Sequence, residues 1–240
     1  MAHGDGAAPA GPPIEEPRVF GSVVRASSVG DEGHLLHNLG EELAAAQKAA
    51  AAKDEYSCDA ISWAARNGRQ GVVGLLIKKE VDLESKSFGG MRPLHHAVNS
   101  NEEVIIKELL SKGVDVNAVD ESGNTPLHYA CRRGVMGICQ ILIERKGDVT
   151  AKNALGMTPL HVACNNGHAS VVQYLLQKDA EPNDADKTGN TPLHIAARTG
   201  FKDVVKVLIA GGAKTSSNRA GKTPDQLAEG DIAAMIAAIS

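Results

Sequence analysis

From about residue 60 onward the apolar positions fall into short helical stripes that come in pairs, each pair followed by a polar, turn-rich segment. Leu127 and Ala130 make one inward face. Eight residues further on, Ile138, Cys139, Leu142 and Ile143 make another, at the spacing that puts side chains on one side of a helix. The second stripe returns as Val171, Val172, Leu175 and Leu176, and again as Val204, Val205, Leu208 and Ile209. Between the pairs the pattern changes period. The stretch from Val114 to Asp120 alternates apolar and polar like a strand and runs into a Gly-containing turn, so it predicts a hairpin-like projection.

The stripes are locked to a repeat of fixed length. Thr-Pro-Leu-His occurs at Thr125, Thr158 and Thr191, 33 residues apart. Arg92-Pro93-Leu94-His95 precedes the series by one period, and Asp59-Ala60-Ile61-Ser62 keeps only the pattern one period earlier. Thr223-Pro224-Asp225-Gln226 closes it after a step of 32. A constant period of this length is the mark of stacked units, each too small to bury its own apolar face. Within a unit, the Thr hydroxyl suits a helix cap and Pro suits the first helical turn, where its missing N–H costs nothing. Gly134 suits a helix end.

The segment from Asp120 to Gly134 (DESGNTPLHYACRRG) resembles the ankyrin repeat, and the resemblance extends from Asp54 to Ser240. It implies a mainly α-helical solenoid of helix-turn-helix units with projecting β-hairpin fingers. About six units are expected, near 54–86, 87–119, 120–152, 153–185, 186–217 and 218–240. It also implies that His95, His128, His161 and His194 hydrogen-bond the neighbouring Thr and hairpin backbone, tying one unit to the next. The family has Gly in a left-handed turn after the second helix. Gly113 and Gly212 keep it, whereas Glu80, Lys146 and Asp179 stand in the other three places.

The two ends depart from the repeat. Residues 1–30 are rich in Ala, Gly, Pro and Ser, which predicts a flexible arm. Within the arm, Val19, Phe20, Val23 and Val24 suggest a short docking segment, and Arg25-Ala26-Ser27-Ser28 is a weak phosphorylation context. Over 31–53, Leu35, Leu39 and Leu43 recur every four residues, predicting an extra N-terminal helix that covers the exposed end of the stack. At the other end Ile232, Met235, Ile236 and Ile239 share a helical face and predict a C-terminal cap.

Composition narrows the function. The 240-residue chain carries a formal net charge of −4 and only 3% aromatic residues, so no global field draws it to nucleic acid or to an anionic membrane. No apolar run reaches the length of a membrane span, and the first residues do not read as a secretory signal. Four scattered cysteines suit a reducing compartment, so a cytoplasmic location is expected, with nuclear or cytoskeletal association as variants. His128/Cys131 and His161/Cys164 have i, i+3 spacing that zinc can use. Yet the histidines hold the repeated structural position and the cysteines replace a small buried residue, so no metal is expected. A His recurring four times is not a catalytic residue, and no phosphate loop, nucleophile elbow or metalloprotease motif occurs. The expectation is no enzyme and no cofactor.

What remains is surface. By the resemblance, partners are held by finger tips and by the exposed ends of the first helices. The candidates there are Tyr56, Arg66, Phe88, Met91, Arg132, Arg133, Leu155, Met157, Lys187 and Arg198. Phe, Leu and Met at finger positions suggest an apolar contact ridge, and the central arginines beside it suit a partner with carboxylates. The function expected is a non-enzymatic adaptor, scaffold or assembly factor, monomeric or part of a larger assembly, acting through its concave face. The alternative is a dedicated inhibitor or chaperone of one enzyme complex. Cyclin-dependent-kinase inhibitors and the proteasome chaperone gankyrin are of that kind.

Overall fold

The computed structural model describes residues 59–238, so the N-terminal arm, the extra helix of 31–53, Tyr56, Cys58 and Ile239 of the expected C-terminal cap lie outside the described residues. Within them lie twelve α-helices and no strand. The helices come as six pairs. These are α1 (Ala60–Arg66) with α2 (Gln70–Lys78), α3 (Pro93–Asn99) with α4 (Glu103–Ser111), and α5 (Pro126–Arg133) with α6 (Met136–Glu144). Then follow α7 (Pro159–Asn165) with α8 (Ala169–Gln177), α9 (Pro192–Thr199) with α10 (Lys202–Ala210), and α11 (Pro224–Leu227) with α12 (Gly230–Ala237). The odd-numbered helices stack into one row and the even-numbered ones into a second, looser row.

One continuous core runs through the stack. Leu127, Leu142, Leu160, Leu175, Leu193 and Leu208 are fully buried at matching positions. The apolar stripes read from the sequence therefore supply its walls. At the C-terminal end Ile232 and Ile236 of α12 are buried and Met235 packs partly against the core, so this helix does cover the last pair.

The bonds between units follow the histidines. In the third unit the Thr125 amide donates to His128 Nδ1 at 3.1 Å, and His128 Nε2 donates to the Met157 carbonyl of the next unit at 3.0 Å. Since Nδ1 accepts, the ring is the neutral Nε2–H tautomer. His95 reaches Asn124 O, His161 reaches Asn190 O and His194 reaches Lys222 O in the same way, at 3.0–3.1 Å. The Thr hydroxyl serves both partners. It donates to the ring nitrogen at 2.8–2.9 Å, and its oxygen faces the third helical amide in the capping boxes of Thr125, Thr158 and Thr191, at 3.5 Å for Thr158.

The fingers differ from the expectation: they are turns, not strand-paired hairpins. A carboxylate or amide at the start of the third to sixth fingers folds the chain back on itself, and in the second the Ser87 hydroxyl donates to the Met91 carbonyl instead. Asp120 Oδ1 accepts from the amides of Ser122 and Asn124, and Asn153, Asp186 and Asn218 do the same in the next three fingers. Each finger closes with two backbone bonds of its own, such as Asp120 N–H to Asn124 O at 3.1 Å and Gly123 N–H to Asp120 O at 3.0 Å. The amide between them crosses to the neighbouring finger: Glu121 to Gly89, Ala154 to Ser122, Lys187 to Leu155 and Arg219 to Thr188. The fingers are thus tight turns tied to one another. At the opposite side of the joints, Asn117 bridges Lys146 O and Asp148 N–H, and Asn183 bridges Gly212 O and Lys214 N–H. Thr150 holds the equivalent place between the third and fourth units and turns back to Asp148. That joint is bridged instead by Asn153 to Asn124 on the finger side and by a Lys152–Asp184 ion pair.

The turn after each second helix is left-handed throughout. Gly113 and Gly212 have φ of 81° and 85°, and Glu80, Lys146 and Asp179 occupy the same region at 55°, 68° and 62°. No atom lies within 4 Å of a Cβ built on Gly113 or Gly212, so the strain in the other turns comes from the backbone itself. A non-glycine residue there costs about 1 kcal/mol. Lys146→Gly is therefore expected to raise the unfolding free energy by about 1 kcal/mol, and Asp179→Gly by less, since Asp tolerates this conformation better. Urea denaturation of the two variants beside the parent chain checks the order. A second expectation follows from the histidines. Burial lowers the pKa of His95, His128, His161 and His194 and takes His96 down to about 3. The unfolded chain then binds protons that the folded one refuses. Stability is full above the unfolded value of about 6.5 and falls below it, by up to about 1.4 kcal/mol per pH unit for each histidine kept neutral. Urea midpoints at pH 7 and pH 5 are expected to fall steeply. Equal midpoints would mean that the rings protonate in place.

Candidate functional site

The candidate site is the face made by the fingers and the C-terminal ends of the odd-numbered helices. Two of its apolar residues stand free. Phe88, in a 3-10 turn (Phe88–Gly90) at the second finger, is 78% exposed, and Leu155, on the fourth, is 65% exposed. Met91 and Met157 are half-buried and pack partly against the core. They sit immediately before a helix cap, where the chain turns inward, and the Met157 carbonyl already serves His128. The sequence reading missed Val119, 50% exposed at a register where Lys86 and Lys152 stand in neighbouring units. With Phe88 it walls a cleft of about 490 Å³ between the second and third fingers, edged by Lys86 and Glu121. An apolar residue at a register otherwise polar was the signal available for Val119.

Arginines line the other edge. Arg66 is half-buried in the last turn of α1; Arg132 and Arg133 end α5, and Arg198 lies in the last turn of α9. A cation near a helix C-terminus is favoured by the helix dipole. Arg132 is also held in place: its guanidinium lies 4.6 Å from the Tyr129 ring centroid and donates to Asn99 Oδ1 at 2.9 Å. Tyr129 is fixed in turn by a 2.6 Å hydrogen bond to Asp120 Oδ2 and an edge contact with His95. Burial, together with that bond, pushes the Tyr129 phenol well above its ordinary range, so it stays a neutral donor. Beside Arg132 lies a cavity of about 80 Å³, lined by Asn124, His128, Tyr129 and Val162. Lys187 is exposed on the fifth finger, away from this pocket. In the second unit Ser87 and His96 replace the Asp120–Tyr129 pair, with Ser87 Oγ 2.7 Å from His96 Nε2.

The groups that suggested metal or nucleophilic chemistry are otherwise engaged. Both nitrogens of His128 and of His161 are taken by the bonds described above, and among the described residues no cluster of three or more His, Cys, Asp or Glu could hold a metal ion. Cys131, Cys139 and Cys164 are free thiols with no exposed surface. Burial raises the thiol pKa of Cys131 and Cys164, and a hydrogen bond between Cys131 and Cys139 adds to the shift of the former. No helix among the described residues is long and apolar enough to cross a membrane.

A family model of ankyrin repeats in three copies matches overlapping windows that together run from residue 31 to residue 239. The chain belongs to the ankyrin repeat family. No curated protein matches it at a significant level. Ankyrin repeats are in general protein–protein interaction modules. The buried thiols supply a check on how tightly the ankyrin stack is closed. In a Cys58→Ser variant, labelling of the remaining cysteines at neutral pH is expected to run at least about a thousandfold slower than in denaturant, because reaction must wait for unfolding. Fast labelling of any of the three in the native protein would show that the joint between the third and fourth units opens locally.

Proposed function

We propose that this ankyrin stack is a non-enzymatic interaction module, an adaptor, scaffold or assembly factor, and that its partner sits on the finger face. The observation carrying the reading is the exposure of Phe88 and Leu155 at finger tips, with a row of arginines along the other edge of the same face. Aromatic residues and Arg are the residue types enriched where protein interfaces concentrate their energy. The partner's matching surface is apolar with carboxylates. Three buried free cysteines support residence in a reducing compartment, and we assign the protein to the cytoplasm.

A regulator of one enzyme complex is the second reading. It would present the same face, so the partner list separates the two: several components of one structure favour a scaffold, and a single kinase or ATPase favours an inhibitor or chaperone. The face itself is tested by variants. Affinity purification with the full chain and mass spectrometry identifies the partner, which is then titrated against Phe88→Ala, Arg132→Ala and Val104→Ala. Val104 is 54% exposed on α4, in the outer row of helices. Each of the first two substitutions is expected to weaken binding by about 2 kcal/mol, roughly thirtyfold, without lowering the melting temperature. Val104→Ala is expected to change nothing. Full affinity in a Phe88→Ala/Arg132→Ala double variant moves the site off the finger face.

A further inference from the structure

One register of the odd-numbered helices reads Arg66, Asn99, Arg132, Asn165 and Arg198 in successive units. Each lies in the last turn of its helix, so the five side chains leave the same edge of one row. Charge therefore returns at every second unit, with an amide between. Among the described residues no ion pair engages Arg66, Arg132 or Arg198. Asp120, which shares Tyr129 with Arg132, is already spent. Asp120 accepts four hydrogen bonds, from the amides of Ser122 and Asn124, the Asn124 side chain and the Tyr129 hydroxyl, which fills the lone pairs of a carboxylate. Arg132 is held by Tyr129 and Asn99 with donors to spare, and the small cavity beside it has room for one side-chain head group.

Stacked helices lie about 8–10 Å apart, so two units separate successive arginines by about 16–20 Å. An extended peptide advances about 3.3 Å per residue and covers that gap in five or six residues. Resting on the reading that the finger face binds the partner, we propose that Arg66, Arg132 and Arg198 form a comb for an extended acidic peptide whose carboxylates recur every five or six residues. The arginines grip the carboxylates. Asn165, which is exposed, offers both a donor and an acceptor to the peptide backbone between them. The comb is a poor match to a nucleic acid, whose phosphates follow one another at about 3.4 Å of rise along each strand and call for cations in every unit.

The test uses the full chain and fluorescein-labelled peptides of about seventeen residues, built from Ser, Thr and Gly with three glutamates. In one peptide the glutamates are six residues apart, and in the other they are contiguous. Binding is read by anisotropy, and the site by the arginine Nε–H signals in nitrogen–proton NMR spectra. The spaced peptide is expected to bind about tenfold tighter and to shift three arginine signals. Arg132→Ala, and separately Arg132→Gln, are expected to bring its affinity down to that of the contiguous peptide with the melting temperature unchanged. Equal affinity for the two peptides overturns the comb, as does binding of neither at millimolar concentration, or tighter binding of a single-stranded oligonucleotide of equal length. If the comb fails while Phe88→Ala and Arg132→Ala still release the captured partner, the finger-face reading stands. If those variants keep the partner as well, both fall.

Discussion

Four of the five joints in this stack depend on one bond, from a buried neutral imidazole to a backbone carbonyl in the following unit. A 33-residue unit cannot close a core of its own, so each must be held in register against its neighbour. The histidine does this from inside. Its Nδ1 accepts the amide of the residue that caps its own helix, and its Nε2–H donates about 29 residues ahead, to the last residue before the next cap. The ring thus fixes two helix starts relative to each other. Hydrophobic burial gives the stack its cohesion, but it is non-directional. The directional bond sets which residues meet.

The same logic explains where the units differ. Ser62 stands at the histidine position of the first described unit, and its hydroxyl finds no partner. The joint above it instead uses Glu84, which accepts the Asp115 amide at 2.6 Å and pairs with Arg92. Between the third and fourth units the Asn clamp is missing, and the finger-side amides of Asn124 and Asn153 stand in. Each joint satisfies its polar groups by a different selection from the same small set. With the joints spending the Asp, Asn and His side chains, Arg132, Arg133 and Arg198 at the helix ends and the apolar residues at the finger tips stay exposed.

Much of this could be read from the sequence because the period is strict. The helix pairs and the core leucines follow from register, and the resemblance to ankyrin repeats implied the histidine ties and the left-handed turns at Glu80, Lys146 and Asp179. The alternation from Val114 to Asp120 misled, because the periodicity of a strand says nothing about where its backbone donors go. In the structure they go into Asx-type turns, to Glu84 of the preceding unit and, at Asp120, to Asn124 of the same finger. The site was legible in part. Exposure of Phe88 and Leu155 follows from their finger positions, whereas Met91 and Met157 share the fingers and turn partly inward. That difference depends on three-dimensional direction at the helix entry, which residue type does not encode. At the register of Asp120, Asp or Asn recurs in three later units, which is the signal in the sequence for these turns.

The claim that the histidine bond joins units is tested most directly by native-state hydrogen exchange on His161→Leu. This change keeps an apolar side chain in the core while removing the bonds to Thr158 and Asn190. The account predicts at least about tenfold loss of protection at the amides of α7 and, across the joint, at Asp186 and Lys187, with α3 unaffected. Loss confined to α7, with Asp186 and Lys187 still protected as in the parent chain, would contradict it.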